Sequence, residues 1–130
     1  MKVNINYVLD SNFAEECKSV NKKICDFFPE CEINFSYNKY RPHITLLMGE
    51  IDEKDFPKIK NIVNSLKYHS LNKKIEFTKP YYKNNYILCD VKDVETFKFD
   101  CENLLNNLRG FIVTHKYTIA NGTTSPHVTL

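Results

Sequence analysis

The chain has 130 residues, of which 42% are hydrophobic and 13% aromatic, so it can bury one sizeable core, and intrinsic disorder is excluded. Its 18 basic and 16 acidic residues leave a formal net charge of +2, which excludes the strongly basic surface of a general nucleic-acid coat protein. We therefore expect a single domain over residues 1–130, which holds any anionic ligand in a local site.

The first half of the chain alternates strand and helix patterns. Apolar residues alternate with polar ones over residues 3–9, which predicts a strand with one buried face. An amphipathic helix follows, for which Ser11 is the predicted cap and Pro29 the predicted stop. Two more strands are predicted, over residues 33–37 and from about residue 40 to residue 51.

The second half contains two further predicted helices and four predicted strands. Asp55 and Pro57 begin one helix, and Asp93 begins the other, which stops before Gly110. The predicted strands cover residues 74–82, 86–91, 111–119 and 126–130, with a hairpin turn between the first two. Helices alternate with mainly antiparallel strands, and no Pro-Gly linker interrupts them, so we predict an α+β fold without a domain boundary.

The cysteines, the N-terminus and the hydropathy of the chain argue against a disulfide framework and against a membrane protein. The five cysteines are odd in number and none forms a Cys-x-x-Cys pair, so we expect reduced thiols rather than a disulfide framework or a metal site. The N-terminus lacks the apolar stretch of a signal peptide, and no later window reaches the length of a membrane span. These features predict a cytoplasmic protein that makes no membrane contact.

One five-residue phrase occurs twice, as Pro-His-Ile-Thr-Leu at residues 42–46 and as Pro-His-Val-Thr-Leu at residues 126–130. Side chains alternate across a strand, so the histidine and threonine of each phrase share one face and its two apolar residues share the other. The polar faces carry His43 and Thr45 in the first copy and His127 and Thr129 in the second. Two such strands side by side would form a symmetric pocket.

This combination of side chains suits the cleavage of a phosphodiester. A neutral imidazole can remove a proton from an attacking water or hydroxyl, and an imidazolium can protonate the leaving oxygen. The threonine hydroxyls can hold the non-bridging phosphate oxygens and stabilise the charge of the transition state. Two imidazoles fall short of the three protein ligands usual for a catalytic metal, so we predict neither a metal ion nor a cofactor.

The two motifs resemble those of the two-histidine (2H) phosphoesterase superfamily, in which two His-x-Thr/Ser motifs lie at about this separation and an apolar residue follows each. The resemblance covers nearly the whole chain and includes the RNA 2',3'-cyclic phosphodiesterases once described as 2'-5' RNA ligases. It implies a bilobal, pseudo-two-fold α+β fold, with two mainly antiparallel sheets and flanking helices around a central cleft.

Carried over to this chain, the resemblance implies that His43 is the general acid, His127 the general base, and Thr45 and Thr129 the phosphate-holding residues. Members of the superfamily usually continue with further strands after the second motif, whereas this chain stops one residue after Thr129. We therefore expect one of three cases: a minimal version with a second lobe shortened at the C-terminus, a fragment of a longer chain, or a variant whose second half-site is weakened.

Three residues near the motifs are candidate substrate contacts. Arg41 and Ser125 each lie two residues before a motif histidine and share its strand parity, so both can project toward the phosphate. Tyr82, with Tyr40 and Tyr81 as further candidates, can stack on a base.

Three functions remain open at this stage. The first is a metal-independent phosphodiesterase that acts on a small nucleotide or RNA end, for example by opening a 2',3'-cyclic phosphate to a 2'-phosphate. The second is a phosphodiesterase that destroys 2'-5' oligoadenylate or a cyclic oligonucleotide and so counters host defence. The third is a non-catalytic module that captures a nucleotide, which the intact histidines and threonines disfavour. No protein partner is inferred.

Overall fold

The computed structural model describes residues 1–27, 41–84 and 86–130, and over these residues it contains three α-helices and six β-strands. In chain order they are β1 (Lys2–Val8), α1 (Ser11–Phe27), β2 (His43–Ile51), α2 (Phe56–Ser65), β3 (Tyr81–Lys83), β4 (Tyr86–Asp90), α3 (Val94–Leu108), β5 (Ile112–Thr114) and β6 (His127–Thr129). Short 3₁₀ helices, Glu53–Asp55 and His69–Asn72, precede and follow α2. The helices and the antiparallel pairing confirm the α+β class.

The first sheet has the order β1-β2-β5 and is antiparallel throughout. The motif segment of β2 pairs regularly with β1, so that His43 lies opposite Val8 and Thr45 lies opposite Asn6. A β-bulge follows, and there two consecutive leucines of β2 are buried. The bulge lets both leucines enter the core and then restores the alternation along the rest of the strand.

The second sheet has the order β3-β4-β6 and is also antiparallel. In it His127 lies opposite Asp90 and Thr129 lies opposite Leu88. Strands β3 and β4 form the predicted hairpin, and Asn84 in its turn has a φ of 50°, a left-handed conformation that asparagine tolerates better than most residues. Through the pairs Tyr81–Leu88 and Leu88–Thr129, Tyr81 lies on the sheet face that carries the second motif.

The two sheets hold their motif strands in the same way. In each sheet the motif strand pairs antiparallel with a strand that leads directly into a long helix: β1 into α1, and β4 into α3. The backbone N–H of the residue after that strand donates a hydrogen bond to the carbonyl oxygen of the motif proline. The bond runs from Leu9 to Pro42 at 3.4 Å and from Val91 to Pro126 at 2.9 Å. This two-fold correspondence relates β1 to β4, α1 to α3 and β2 to β6.

The core lies against the faces of both sheets that point away from the motif histidines. Ile44 from β2 and Val128 from β6 are both 0% exposed, and α3 adds Leu104 and Leu108, which are equally buried. Burial of one such side chain stabilises the fold by about 1.5–3 kcal/mol. The apolar residues of the motifs therefore fix the position of the strands that carry the histidines.

A buried carboxylate joins α3 to β1 and to the turn after α2. Asp100, 1% exposed, accepts hydrogen bonds from the backbone N–H groups of His69 and Ser70 at 2.8 and 2.9 Å, and from the Tyr7 hydroxyl at 2.8 Å. The Ser70 hydroxyl also donates to it. Burial alone would raise the pKa of Asp100, but the hydrogen bonds from Ser70, His69 and Tyr7 outweigh it and lower that pKa.

Two predicted strands are much shorter in the structure than expected. The strand predicted over residues 74–82 is reduced to a single bridge between Phe77 and Val91, followed by β3, because Pro80 has no N–H for a ladder. The strand predicted over residues 111–119 stops at Thr114. Beyond it, the side chains of Asn121 and Thr123 bond to the backbone of Lys116, and such local bonds replace the ladder with a loop.

The remaining helix and strand limits are close to those predicted. The first helix begins at Ser11, and the side chain that caps it is that of Asp10, which accepts from the Phe13 N–H at 2.9 Å, so the prediction of Ser11 as the cap was wrong. Asp93 caps α3 as predicted, and Gly110, with a φ of 86°, follows its end. The predicted stop at Pro29, the strand over residues 33–37 and the strand start near Tyr40 lie outside the described residues.

No helix in the described ranges is both long enough and apolar enough to cross a membrane.

Gly49 allows β5 to approach β2 closely. A Cβ atom at this position would lie 2.6 Å from the Val113 carbonyl oxygen and 2.8 Å from the Ile112 side chain, so β5 would have to move. We expect Gly49→Ala to lower the free energy of unfolding by about 1–3 kcal/mol, measured by urea denaturation. Gly122→Ala is the control without a steric clash. Nothing lies within 4 Å of the Cβ added at Gly122, so any loss there comes from the strain of its φ of 73° alone. Wild-type stability in Gly49→Ala would contradict the expectation.

Candidate active site

The first motif lies at the start of β2. Its apolar residue Ile44 is fully buried, so His43 and Thr45 project from the opposite face, where both are half-buried. The ring Nδ1 of His43 lies 2.8 Å from the carbonyl oxygen of Arg41. This contact orients the imidazole relative to its own strand.

The second motif repeats this construction in β6. Val128 is fully buried, and His127 and Thr129 are half-buried on the opposite face. The ring Nδ1 of His127 lies 2.8 Å from the carbonyl oxygen of Ser125. The two motifs therefore agree in burial, in side-chain direction and in the hydrogen bond that orients the ring.

These ring contacts determine which nitrogen of each neutral imidazole carries the proton. A carbonyl oxygen can only accept a hydrogen bond, so the N–H of each ring lies on Nδ1 and donates to that oxygen. In the neutral form Nε2 then has the lone pair that accepts a proton, and in the charged form Nε2 has the proton to donate. These are the two states that a general base and a general acid need.

The two motif strands lie close together although they belong to different sheets. Cα atoms of β2 and β6 come within 8 Å of one another. The strands that carry the two His-x-Thr pairs are therefore neighbours in the fold.

The strands that face the two motifs differ in chemistry at corresponding positions. Opposite the motif threonine lies Asn6 in the first half and Leu88 in the second; opposite the motif histidine lie Val8 and Asp90, respectively. The backbone bonds to the two motif prolines make these the non-hydrogen-bonded pairs of each ladder, in which facing side chains lie closest. The two halves therefore match in their motif residues and differ in the neighbours of those residues.

A cleft of about 630 Å³ opens beside the second motif. The hairpin contributes Tyr81, Lys83 and Tyr86 to its lining, the loop before β6 contributes Ser125, and β6 contributes His127 and Thr129. Pockets for small ligands commonly have volumes of about 300–1,000 Å³, so the cleft has the size that a nucleotide requires.

Tyr81 is tied to Asp90 within this part of the sheet. Its hydroxyl donates to Oδ1 of Asp90 at 2.7 Å. This hydrogen bond, together with burial and the charge of the carboxylate, raises the pKa of Tyr81 to about 12. The phenol therefore stays protonated at neutral pH, and the ring beside the cleft keeps a fixed orientation.

The structure places the three predicted substrate contacts differently. Ser125 lines the cleft beside the second motif. Arg41 is exposed just before β2, and its carbonyl oxygen is the acceptor that orients His43. Tyr82 is 69% exposed and lies on the opposite face of the hairpin from Tyr81, which lines the cleft.

Sequence reasoning did not single out Lys83, Tyr86 or Asn6. Strand parity contains the signal for Asn6 alone, because this residue alternates with the apolar residues Ile5 and Tyr7. Asn6 could have been found from its position beside the buried Tyr7. For the hairpin the parity of the short strand β3 could not be chosen, since all three of its residues are exposed and none marks a buried face.

Within residues 1–27, 41–84 and 86–130, no three His, Cys, Asp or Glu side chains are grouped so that they could hold a metal ion. Comparisons with protein-family models, with curated proteins and with solved structures found no match to the chain.

Proposed function

We propose that the chain is a two-histidine phosphodiesterase that cleaves a phosphodiester bond of a small nucleotide or RNA end without a metal ion. One observation carries the proposal: two His-x-Thr segments, each with its histidine oriented by a 2.8 Å bond from Nδ1, lie on neighbouring strands. The resemblance of the motifs to the 2H phosphoesterases supports the same reaction. The two-fold correspondence between the sheets supports the bilobal fold of that superfamily as part of the proposal.

The reaction transfers one proton at each histidine. The base removes a proton from the attacking water or hydroxyl through Nε2 while the new P–O bond forms, and the acid gives its Nε2 proton to the leaving oxygen while the old P–O bond breaks. After the step the base is charged and the acid is neutral, and exchange with water restores both. The resemblance assigns the acid to His43 and the base to His127.

The threonines act on the phosphate itself. Thr45 and Thr129 follow their histidines by two residues on the same strand face, so their hydroxyls point into the same region as the imidazoles. A hydroxyl donor aimed at a non-bridging oxygen is most effective when the negative charge there increases in the transition state. Each half of the site thus supplies one histidine that transfers a proton and one threonine that donates a hydrogen bond to the phosphate.

The cleft beside β6 is the proposed place for the nucleoside. Tyr81 and Tyr86 line it, and an aromatic ring can stack on any base. The Lys83 ammonium can attract a second phosphate. Substrates of this size include a 2',3'-cyclic phosphate end, 2'-5' oligoadenylate and cyclic oligonucleotides.

A panel of substrates tests the proposal directly. The purified chain is incubated with a 2',3'-cyclic phosphate, 2'-5' diadenylate and a cyclic dinucleotide, and the products are identified by mass spectrometry. Turnover of at least one substrate that the His127→Ala variant lacks supports the proposed function. Binding of nucleotides without turnover of any substrate would instead support the non-catalytic module.

We expect the activity to survive excess EDTA, because both proton transfers and the phosphate contacts come from side chains of this chain. The measurement is the initial rate with and without excess chelator, with a metal-dependent phosphodiesterase as the control. Inactivation by EDTA that a divalent ion reverses would overturn the metal-independent mechanism.

A further inference from the structure

The two-fold correspondence provides an internal comparison for Asn6. The residue opposite the motif threonine is Asn6 in the first half of the site and Leu88 in the second. The corresponding position of the second half thus holds an apolar side chain with the same branching at Cγ. A strand of this kind therefore does not need a polar side chain beside the motif threonine, and Asn6 calls for another explanation.

The amide of Asn6 is moreover incompletely satisfied by the protein. Its Oδ1 atom is shielded from solvent, and no donor in the described part of the chain forms a hydrogen bond to it. A buried acceptor without a partner lowers the stability of a fold, so native proteins rarely keep one without a reason. Rotation about χ2 exchanges the amide oxygen and nitrogen, so the group can present either atom to a ligand.

The position of Asn6 relates this amide to the proposed reaction. Asn6 and Thr45 face each other as a non-hydrogen-bonded pair, whose Cβ atoms are typically about 4.5–5.5 Å apart, on the sheet face that carries His43. A β-bulge begins directly beyond this pair, and bulges near a site re-aim its side chains. A group attached to the carbon next to the scissile phosphate ester would therefore lie within reach of the amide.

We propose that Asn6 binds a hydroxyl group of the substrate next to the phosphate that Thr45 holds. The inference rests on the proposed phosphodiesterase function and names its substrate class: a nucleotide phosphodiester whose ribose keeps a free hydroxyl beside the scissile bond. A hydroxyl both donates and accepts, so it matches a carboxamide, which offers one acceptor and two donors. A 2',3'-cyclic phosphate has no such hydroxyl on its ribose, so 2'-5' or 3'-5' linked substrates are preferred.

The test compares two substrates that differ in one hydroxyl. They are 2'-5' diadenylate and its analogue with a 3'-deoxyribose beside the scissile phosphate. Each is cleaved by the wild type, by Asn6→Leu and by Asn4→Leu, and kcat/KM is measured. Asn4→Leu is the matched control, because Asn4 has the same strand parity as Asn6 and lies opposite Met48, beyond the bulge. The melting temperature of each variant is measured in parallel.

We expect the wild type to prefer the hydroxylated substrate by about tenfold or more, the size of effect of one hydrogen bond with a polar group of the site. Asn6→Leu should lose this preference because its kcat/KM falls for the hydroxylated substrate only, whereas Asn4→Leu should keep it. Since leucine removes the unpaired amide, Asn6→Leu should also raise Tm, by about 2–5 °C. A purely structural role of Asn6 would give the opposite sign of this shift.

The outcomes separate the inference from the proposed function. If the wild type cleaves both substrates equally, or if Asn6→Leu keeps the wild-type preference, the inference is overturned and the phosphodiesterase function stands. If Asn6→Leu lowers Tm and slows both substrates alike, Asn6 is a structural residue, which also overturns the inference. If the wild type cleaves no member of the panel, the proposed function fails and the inference fails with it.

Discussion

Replacement of either His43 or His127 by alanine is expected to lower kcat about 100-fold to 10,000-fold, the usual contribution of a positioned proton carrier. In the proposed mechanism both residues act in one transition state, so the double variant should be little slower than either single variant. The fold should persist, because the two rings lie on half-buried faces while the neighbouring Ile44 and Val128 carry the core packing. The measurements are single-turnover rates and melting temperatures.

His115→Ala is the control for this prediction. His115 is an exposed histidine after β5, where its ring Nδ1 accepts from the Tyr117 N–H at 3.3 Å, and its loss should leave kcat near the wild-type value. If His127→Ala stayed near the wild type while His43→Ala was inactive, the second motif would be structural and the symmetric site would be wrong.

The pH dependence of the same variants tests the division of roles. One ring must be neutral and the other charged in the same molecule, so kcat/KM should rise and then fall with pH. Loss of the base should remove the acidic limb from the residual activity, and loss of the acid should remove the alkaline limb. The assignment of His43 as the acid fails if His43→Ala removes the acidic limb.

Asp100→Asn is expected to lower the free energy of unfolding by about 2–3 kcal/mol, the second large effect. The carboxylate oxygens accept from the N–H groups of His69 and Ser70 and from the hydroxyls of Tyr7 and Ser70, all of them donors. An amide turns one of these acceptors into a donor, so at least one buried donor loses its partner at about 1–3 kcal/mol. Urea denaturation at pH 7 measures the loss.

The matched control is the same substitution on the same helix at an exposed position. Asp93→Asn should change stability little, since asparagine caps a helix nearly as well as aspartate. Equal losses in both variants would show that the buried network adds nothing beyond a general effect of helix charge.

The stability of the wild type should also follow the ionisation of Asp100. The folded state lowers the pKa of this carboxyl, so its contribution is fully present above the unfolded value of about 3.9 and is lost as the pH falls through the lower folded value. The difference in free energy of unfolding between the wild type and Asp100→Asn should therefore become smaller below about pH 4. A gap that stays constant from pH 7 down to pH 3 would contradict this linkage.

The motif strands were predictable from the sequence, because alternation of polar and apolar residues over five positions indicates a strand. The same alternation shows which of its side chains face the core. Ile44 and Val128 are fully buried, and the histidines beside them face outward, as alternation requires. Helices α2 and α3 were also predictable, since their apolar stripes, Pro57 in the first turn of α2 and the Asp93 cap of α3 are local signals. The hydrogen bonds of Asp100 were not, because they join residues far apart in the chain.

Features that depend on strand register or on hydrogen bonds outside the local pattern could not be predicted from the sequence. The choice between Tyr81 and Tyr82 as the cleft residue depends on which of them pairs with Leu88, and single-sequence patterns do not contain that pairing. The strand predicted over residues 111–119 ended early because hydrogen bonds from Asn121 and Thr123 compete with the ladder. The chemical difference between Asn6 and Leu88 became visible only through the two-fold correspondence of the sheets.

The two motif strands differ in how firmly their sheets hold them. Among the described strands, β2 has nine residues and lies between two neighbours, whereas β6 has three residues and lies at the edge of its sheet. A short edge strand opens at a lower free energy than a central one, through local fluctuations that leave the rest of the fold intact. Heat would therefore withdraw His127 from the site before the domain unfolds, so the temperature limit of activity would lie below the melting temperature.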